Sequence, residues 1–229
     1  MGILLDSAVP EEAREAMALG FVWGITTNPT LLARVKDSVE GIVRTLCGIC
    51  PGLVFYQLAA ADLSGRTSEG HRAIELDREL HESSPSGAGA TAEVGHIGLK
   101  IAASTENMAL VRMFSTMGVP VAVTAIFSLS QVYLACEAGA RYVVPYVNRT
   151  TRLRGDGIGF VRDMAAVCRA TGRGTEVLAA SVKSPDETVQ TLLAGATHIS
   201  MPLSVLQSLG DDPLSREAVA EFAANGVRW

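Results

Sequence analysis

The sequence predicts an α/β fold, a single-domain (β/α)8 TIM barrel with a C-terminal helix, on three observations. Eight short apolar runs alternate with segments of helical periodicity along the chain. With 229 residues, 48% of them hydrophobic, and a mean hydropathy of +0.27, the chain can bury one core of barrel size. Neither a G-x-G-x-x-G after a strand nor a G-x-x-x-x-G-K-[ST] is present, which argues against the runner-up, a doubly wound open sheet. Aromatic residues make up only 5%, so the core must be built from Ala, Val, Leu and Ile.

The first strand is expected over 3–6, ahead of a helix over 10–19. The second, 21–25, runs into Thr26-Thr27-Asn28-Pro29, where Asn28 reads as an N-cap and Pro29 as the first helical residue of 29–36, followed by 38–48. The third strand, 53–58, precedes a helix over 62–81. Residues 82–95, ESSPSGAGATAEVG, form a low-complexity stretch expected to be a flexible insertion on the face opposite the chemistry. Strands at 97–102, 119–124, 142–145, 176–180 and 198–201 alternate with helices at 105–117, 128–138, 156–170, 185–194 and 202–209. Residues 212–229 close the chain as a helical tail, with Leu214, Ala218 and Phe222 on one stripe and Asn225-Gly226 as a stop.

Net charge is −5 and the isoelectric point is near 5.4, with no dense Lys/Arg run, so a nucleic-acid surface is not expected. No apolar stretch reaches the length of a membrane span, and the N-terminus lacks the pattern of a signal peptide. The expectation is a cytoplasmic protein without a membrane partner. Cys47 and Cys50 could form a redox motif or half a zinc site. Cys136 and Cys168 stand apart with no clustered His, so the expectation is no metal, with Cys47 and Cys50 as small apolar residues near a helix end.

Lys100 is one of only three lysines and sits inside the run HIGLKIAA. In a strand of period two, Ile97, Leu99 and Ile101 share one face, while Lys100 shares the other with the small residues Gly98 and Ala102. An ammonium in such an interior must find an anion or lose its proton, and burial lowers its pKa. One reading is a lysine paired with a buried carboxylate such as Asp6, or snorkelling out at the strand end. The other is a neutral amine that attacks a carbonyl to form an iminium. Polar residues collect at the other strand ends: Asp6, Thr26-Thr27-Asn28, Gln57, Thr124, Tyr146 with Asn148 and Arg149 beyond, and Ser181 before Lys183. In a barrel, those ends form the active face.

Several linked motifs carry a resemblance that covers almost the whole chain. GITTNPTLL at 24–32 resembles the G-[VI]-T-T-N-P-[ST] motif of the transaldolase family, and Lys100 falls where its Schiff-base lysine is expected. TAIFSLSQ at 124–131, AGARY at 138–142 and LAASVK at 178–183 follow in the family's order. Within the family, Gln57 and PYVNR at 145–149 are most similar to the fructose-6-phosphate aldolase branch, because transaldolases place a Glu at the first position and usually Phe and Gly in the second motif. Val144 departs from the serine that transaldolases often carry.

The resemblance implies a class I aldolase, or a transaldolase, acting on sugar phosphates such as fructose 6-phosphate without metal or other cofactor. Lys100 would form the iminium, Tyr146 would shuttle protons through a water held by Gln57 and Thr124, and Asp6 would serve the C4 hydroxyl. Asn28 and Thr27 would contact the donor, and Arg149, Ser181 and Lys183 the distal phosphate. It also implies a ring-like homo-oligomer such as a decamer, with the C-terminal tail packed on a neighbour. A catalytically silent oligomeric barrel is the contrasting expectation.

Overall fold

In the computed structural model, residues 2–83 and 96–226 are described. Eight parallel strands close into a barrel in sequence order: β1 (Gly2–Asp6), β2 (Val22–Thr26), β3 (Val54–Gln57), β4 (Ile97–Ala102), β5 (Val121–Ile126), β6 (Tyr142–Pro145), β7 (Glu176–Ala179) and β8 (His198–Met201). The ring shuts where β1 pairs with β8, Gly2 opposite His198 and Leu5 opposite Met201. The predicted barrel is the observed one.

Helices α1 (Pro10–Ala18), α2 (Pro29–Leu32), α3 (Val39–Ile49), α4 (Leu63–Ser83), α5 (Met108–Thr116) and α6 (Leu129–Ala138) cover the first half of the sheet. α7 (Val147–Arg154), α8 (Gly157–Thr171), α9 (Pro185–Leu193), α10 (Leu203–Ser208) and α11 (Pro213–Ala224) complete the chain. Asn28 caps α2 as expected, its side chain accepting from the Leu31 N–H with Pro29 following. α7 is the exception to the sequence reading, which expected no helix between the strand at 142–145 and the helix at 156–170. Its sequence VNRTTRLR has no apolar period, and only Val147 and Thr150 are buried. Its first turn is held instead by backbone bonds, Val147 N–H to Ala180 O at 2.9 Å and Asn148 N–H to Ser181 O at 3.1 Å.

Residues 84–95, the bulk of the expected insertion, lie outside the described residues, and α4 runs through position 83. Residues 227–229 of the tail also lie outside them. Among the described residues, no helix is long and apolar enough to cross a membrane.

The alternation of strand side chains divides the core. Ile97, Leu99 and Ile101 face the helices and pack with Leu46, Leu76, Val111 and Phe114. The barrel interior holds a second cluster of Leu4, Leu53, Phe55, Ala122, Tyr142, Val144, Leu178 and Ala180. Phe55 and Tyr142 meet edge to face at 5.6 Å between ring centroids. Gly98 makes room for this floor, since a Cβ there would lie 2.6 Å from the Phe55 ring. Truncating Phe55 to Ala would cost roughly 3–5 kcal/mol and open the floor beneath Lys100.

Among the described residues, two non-glycine residues have left-handed backbone, Ala125 (φ 56°) and Ser181 (φ 61°), both at carboxyl ends of strands. At β5 the irregularity breaks the register between Val123 and Ile126, so that Ile126 pairs with Pro145. Strain of this kind is kept where surrounding structure holds it, and both residues line the same cavity.

Candidate active site

The two-residue period that turns Ile97, Leu99 and Ile101 outward turns Lys100 into the barrel. Its ammonium is buried, 3% exposed as a residue, and donates to the Thr27 carbonyl at 2.8 Å. Burial pulls the Lys100 pKa down to about 8, opposed by the nearby Asp6 carboxylate. A substantial fraction of such an amine is neutral near physiological pH, and the neutral amine is the nucleophile.

A cavity of about 650 Å³ opens at the carboxyl ends of the strands. Asp6, Asn28, Gln57, Lys100, Tyr146, Arg149, Ser181 and Lys183 line it, eight of the residues selected from sequence. Thr27 and Thr124 take other places. The Thr27 hydroxyl donates to the Phe55 carbonyl at 2.8 Å within the barrel wall, so this side chain positions Lys100 through its backbone instead of facing the cavity. Thr124 is fully buried and donates to the Tyr146 hydroxyl at 2.9 Å.

Each remaining side chain is constrained by its neighbours. Thr26, on the strand beside β1, donates to Asp6 Oδ1 at 2.9 Å and lies 2.5 Å from Ser200 Oγ. With Thr26 donating to the carboxylate, Ser200 donates to Thr26, and the pair fixes Asp6 from behind. Asn28 spends its carbonyl oxygen on the helix cap, which leaves its NH2 group as a donor. Gln57 Oε1 is buried without a partner, an open acceptor. The Arg149 guanidinium stacks 4.7 Å from the Tyr146 ring centroid.

Several contributors had no sequence signal of their own. Ser7, Glu12 and Arg34 also line the cavity, and Ser7 Oγ donates to Glu12 Oε2 at 2.5 Å. Glu187 accepts from the Lys183 N–H at 2.6 Å and from Asn148 Nδ2 at 3.4 Å, tying the loop after β7 to α7. Glu187 lies one turn into a helix opened by Ser184, so from sequence it reads as an ordinary first-turn acid.

Comparison with known proteins agrees with this arrangement. The sequence profile described as Transaldolase/Fructose-6-phosphate aldolase matches residues 3–227. A "Probable transaldolase" from Kosmotoga olearia is 32% identical over 222 residues, 97% of this chain and 94% of that protein. One from Herpetosiphon aurantiacus is 34% identical over 97% of this chain and 93% of that protein. A third, from Methanococcus maripaludis strain C7, is 32% identical over 98% and 97% respectively. A closed barrel with a buried, pKa-depressed lysine at its carboxyl mouth, matched along nearly its whole length, belongs to the transaldolase/fructose-6-phosphate aldolase family and is an enzyme of the Schiff-base aldolase/transaldolase type.

Proposed function

We propose that this enzyme breaks and makes the C3–C4 bond of ketose phosphates such as fructose 6-phosphate, through an iminium and enamine on Lys100 and without a metal. The observation that carries the proposal is the placing of one buried amine, one carboxylate and one phenol on a single cavity: Lys100, Asp6 and Tyr146. Lys100 adds to the C2 carbonyl, and loss of water leaves the iminium. Asp6 takes the proton of the C4 hydroxyl as the C3–C4 bond breaks, and its electron pair passes into the iminium to give the enamine. The aldehyde phosphate departs.

Protonation of the enamine at C3 and hydrolysis of the resulting iminium release dihydroxyacetone and restore the amine. Tyr146 serves these proton transfers through a water held by Gln57 Oε1 and Thr124, a contribution on the order of 10²-fold or more. Gln57 itself cannot exchange a proton at neutral pH. This amide, in place of an acid, supports the branch that releases dihydroxyacetone. The NH2 group of Asn28 orients donor hydroxyls, and Arg149, Ser181 and Lys183 hold the distal phosphate, Arg149 by charge-assisted bonds.

The names of the relatives favour a second reading, in which the enamine is captured by another aldehyde phosphate and the dihydroxyacetone unit is transferred. A product assay separates the two. With fructose 6-phosphate alone, the aldolase reading expects glyceraldehyde 3-phosphate and free dihydroxyacetone in equal amounts. Turnover that appears only when an acceptor such as erythrose 4-phosphate is added would assign the enzyme to transfer.

The tail supports a proposal about assembly. No residue of α11 is buried, and Leu214, Val219 and Phe222 are 72, 64 and 70% exposed. We propose that this helix packs on a neighbouring subunit in a ring-like homo-oligomer, which removes that apolar face from water.

A further inference from the structure

We propose that Asp77, His81 and His96 form a binding site for a divalent d-block cation such as zinc on the barrel face opposite Lys100. Spacing along the chain does not group these residues. Among the described residues they are brought together so that one ligand atom from each lies within 4.8 Å of the others. Asp77 and His81 are four positions apart near the C-terminal end of α4 and therefore share a face of the helix. His96 immediately precedes β4. In a parallel barrel the ends of helices meet the starts of strands, so the three converge on the amino-terminal mouth.

The arrangement has features that a metal site needs. Asp77 Oδ1 accepts from the Ile97 N–H at 2.8 Å, which fixes the carboxylate against the start of β4. His81 Nδ1 lies 2.8 Å from the Asp77 carbonyl oxygen. A carbonyl can only accept, so Nδ1, which also lies 3.6 Å from Asp77 Oδ2, carries the proton, and Nε2 keeps a lone pair that serves a metal once the ring turns that edge toward the carboxylate. A backbone carbonyl on the other ring nitrogen is the usual support of a ligating histidine. The His81 and His96 rings are stacked, with centroids 4.5 Å apart and planes 19° apart, so the second imidazole lies beside the first, and the rings must turn out of parallel for both in-plane lone pairs to meet one ion.

Two imidazoles and one carboxylate are a donor set that suits zinc. Bonds of about 2.0–2.2 Å would require the three side chains to draw in by roughly an ångström, with water as the fourth ligand. His81 has the freedom for this, its side chain being 38% exposed. The bound ion would pin the end of α4 to the start of β4. Its role would be structural, because Lys100 lies on the other face and the iminium already supplies the electron sink.

The test does not depend on catalysis. The untagged chain is stripped with chelator, dialysed and titrated with zinc by calorimetry, and its melting is followed with and without the ion. One zinc per chain is expected, with a Tm rise on the order of 5 °C in saturating zinc. His81→Ala and His96→Ala should each weaken binding by at least about 10-fold. Cobalt in place of zinc should give tetrahedral visible bands without a strong thiolate band in the near ultraviolet. Absence of saturable binding, affinity unchanged in both variants, or a thiolate band that moves the ion to the cysteines would each overturn the proposal.

Discussion

Lys100 places a chemical requirement and a stability cost on the same atom. An ordinary lysine titrates near 10.5, whereas burial brings this one to about 8. Below pH 8 both the folded and unfolded chains carry the proton, so the fold bears the full cost of the buried charge. Between about 8 and 10.5 only the unfolded chain keeps it, and stability rises with pH. The net cost implied by the shift is roughly 3 kcal/mol, and removing the amine would take away the donor to the Thr27 carbonyl, a loss of about 1 kcal/mol. Lys100→Met should therefore abolish turnover yet stabilise the fold at pH 7 by about 2 kcal/mol in a urea melt. The same value predicts that kcat/KM climbs as pH rises through about 8 and then levels. Tyr146→Phe should lower kcat by about 100-fold or more while KM changes little, because its proton transfer matters chiefly in the transition state. Gln57→Glu restores an acid and should shift product toward transfer. Lys100 was legible because the two-residue period and its small neighbours, Gly98 and Ala102, mark an interior face. The Ser200–Thr26–Asp6 chain was not, since Thr26 and Ser200 lie 174 positions apart and meet only when the barrel closes.

Among the elements, the strands were readable because each is a short apolar run, and their carboxyl ends announced the cavity by polarity. α7 escaped because its stability comes from backbone bonds to Ala180 and Ser181, which a side-chain pattern does not record. In the proposed mechanism it holds the phosphate end of the cavity, since it carries Arg149 beside the loop that carries Ser181 and Lys183. Glu187 joins the two by accepting from Lys183 N and Asn148 Nδ2. Glu187→Ala should raise KM for a phosphorylated ketose about 10-fold, the loss expected for a hydrogen bond to a charged group, with kcat within about 3-fold. Dihydroxyacetone, which lacks the phosphate, should show no change, and Glu187→Gln should recover part of the affinity. The cluster of Asp77, His81 and His96 was hidden for a related reason. Its third member is separated from the helix by the low-complexity segment, so spacing alone gave no ligand pattern.

The whole molecule combines a closed barrel with a final helix, α11, that has no buried residue. Deleting residues 213–229 should lower the oligomeric mass in sedimentation. Loss of activity on the same truncation would place the tail near a neighbour's cavity. A full-length chain that sediments as a monomer at micromolar concentration would remove the assembly proposal. Chelation should leave turnover unchanged while lowering Tm, because the proposed ion and the amine sit at opposite mouths. The proposed chemistry turns on Lys100 forming the covalent intermediate. Borohydride reduction in the presence of fructose 6-phosphate or dihydroxyacetone, followed by peptide mass mapping, tests it most directly. A stable mass increment on the Lys100 peptide, absent from Lys100→Met, is expected, whereas an increment confined to Lys36 or Lys183, or none at all, would rule out the Lys100 intermediate.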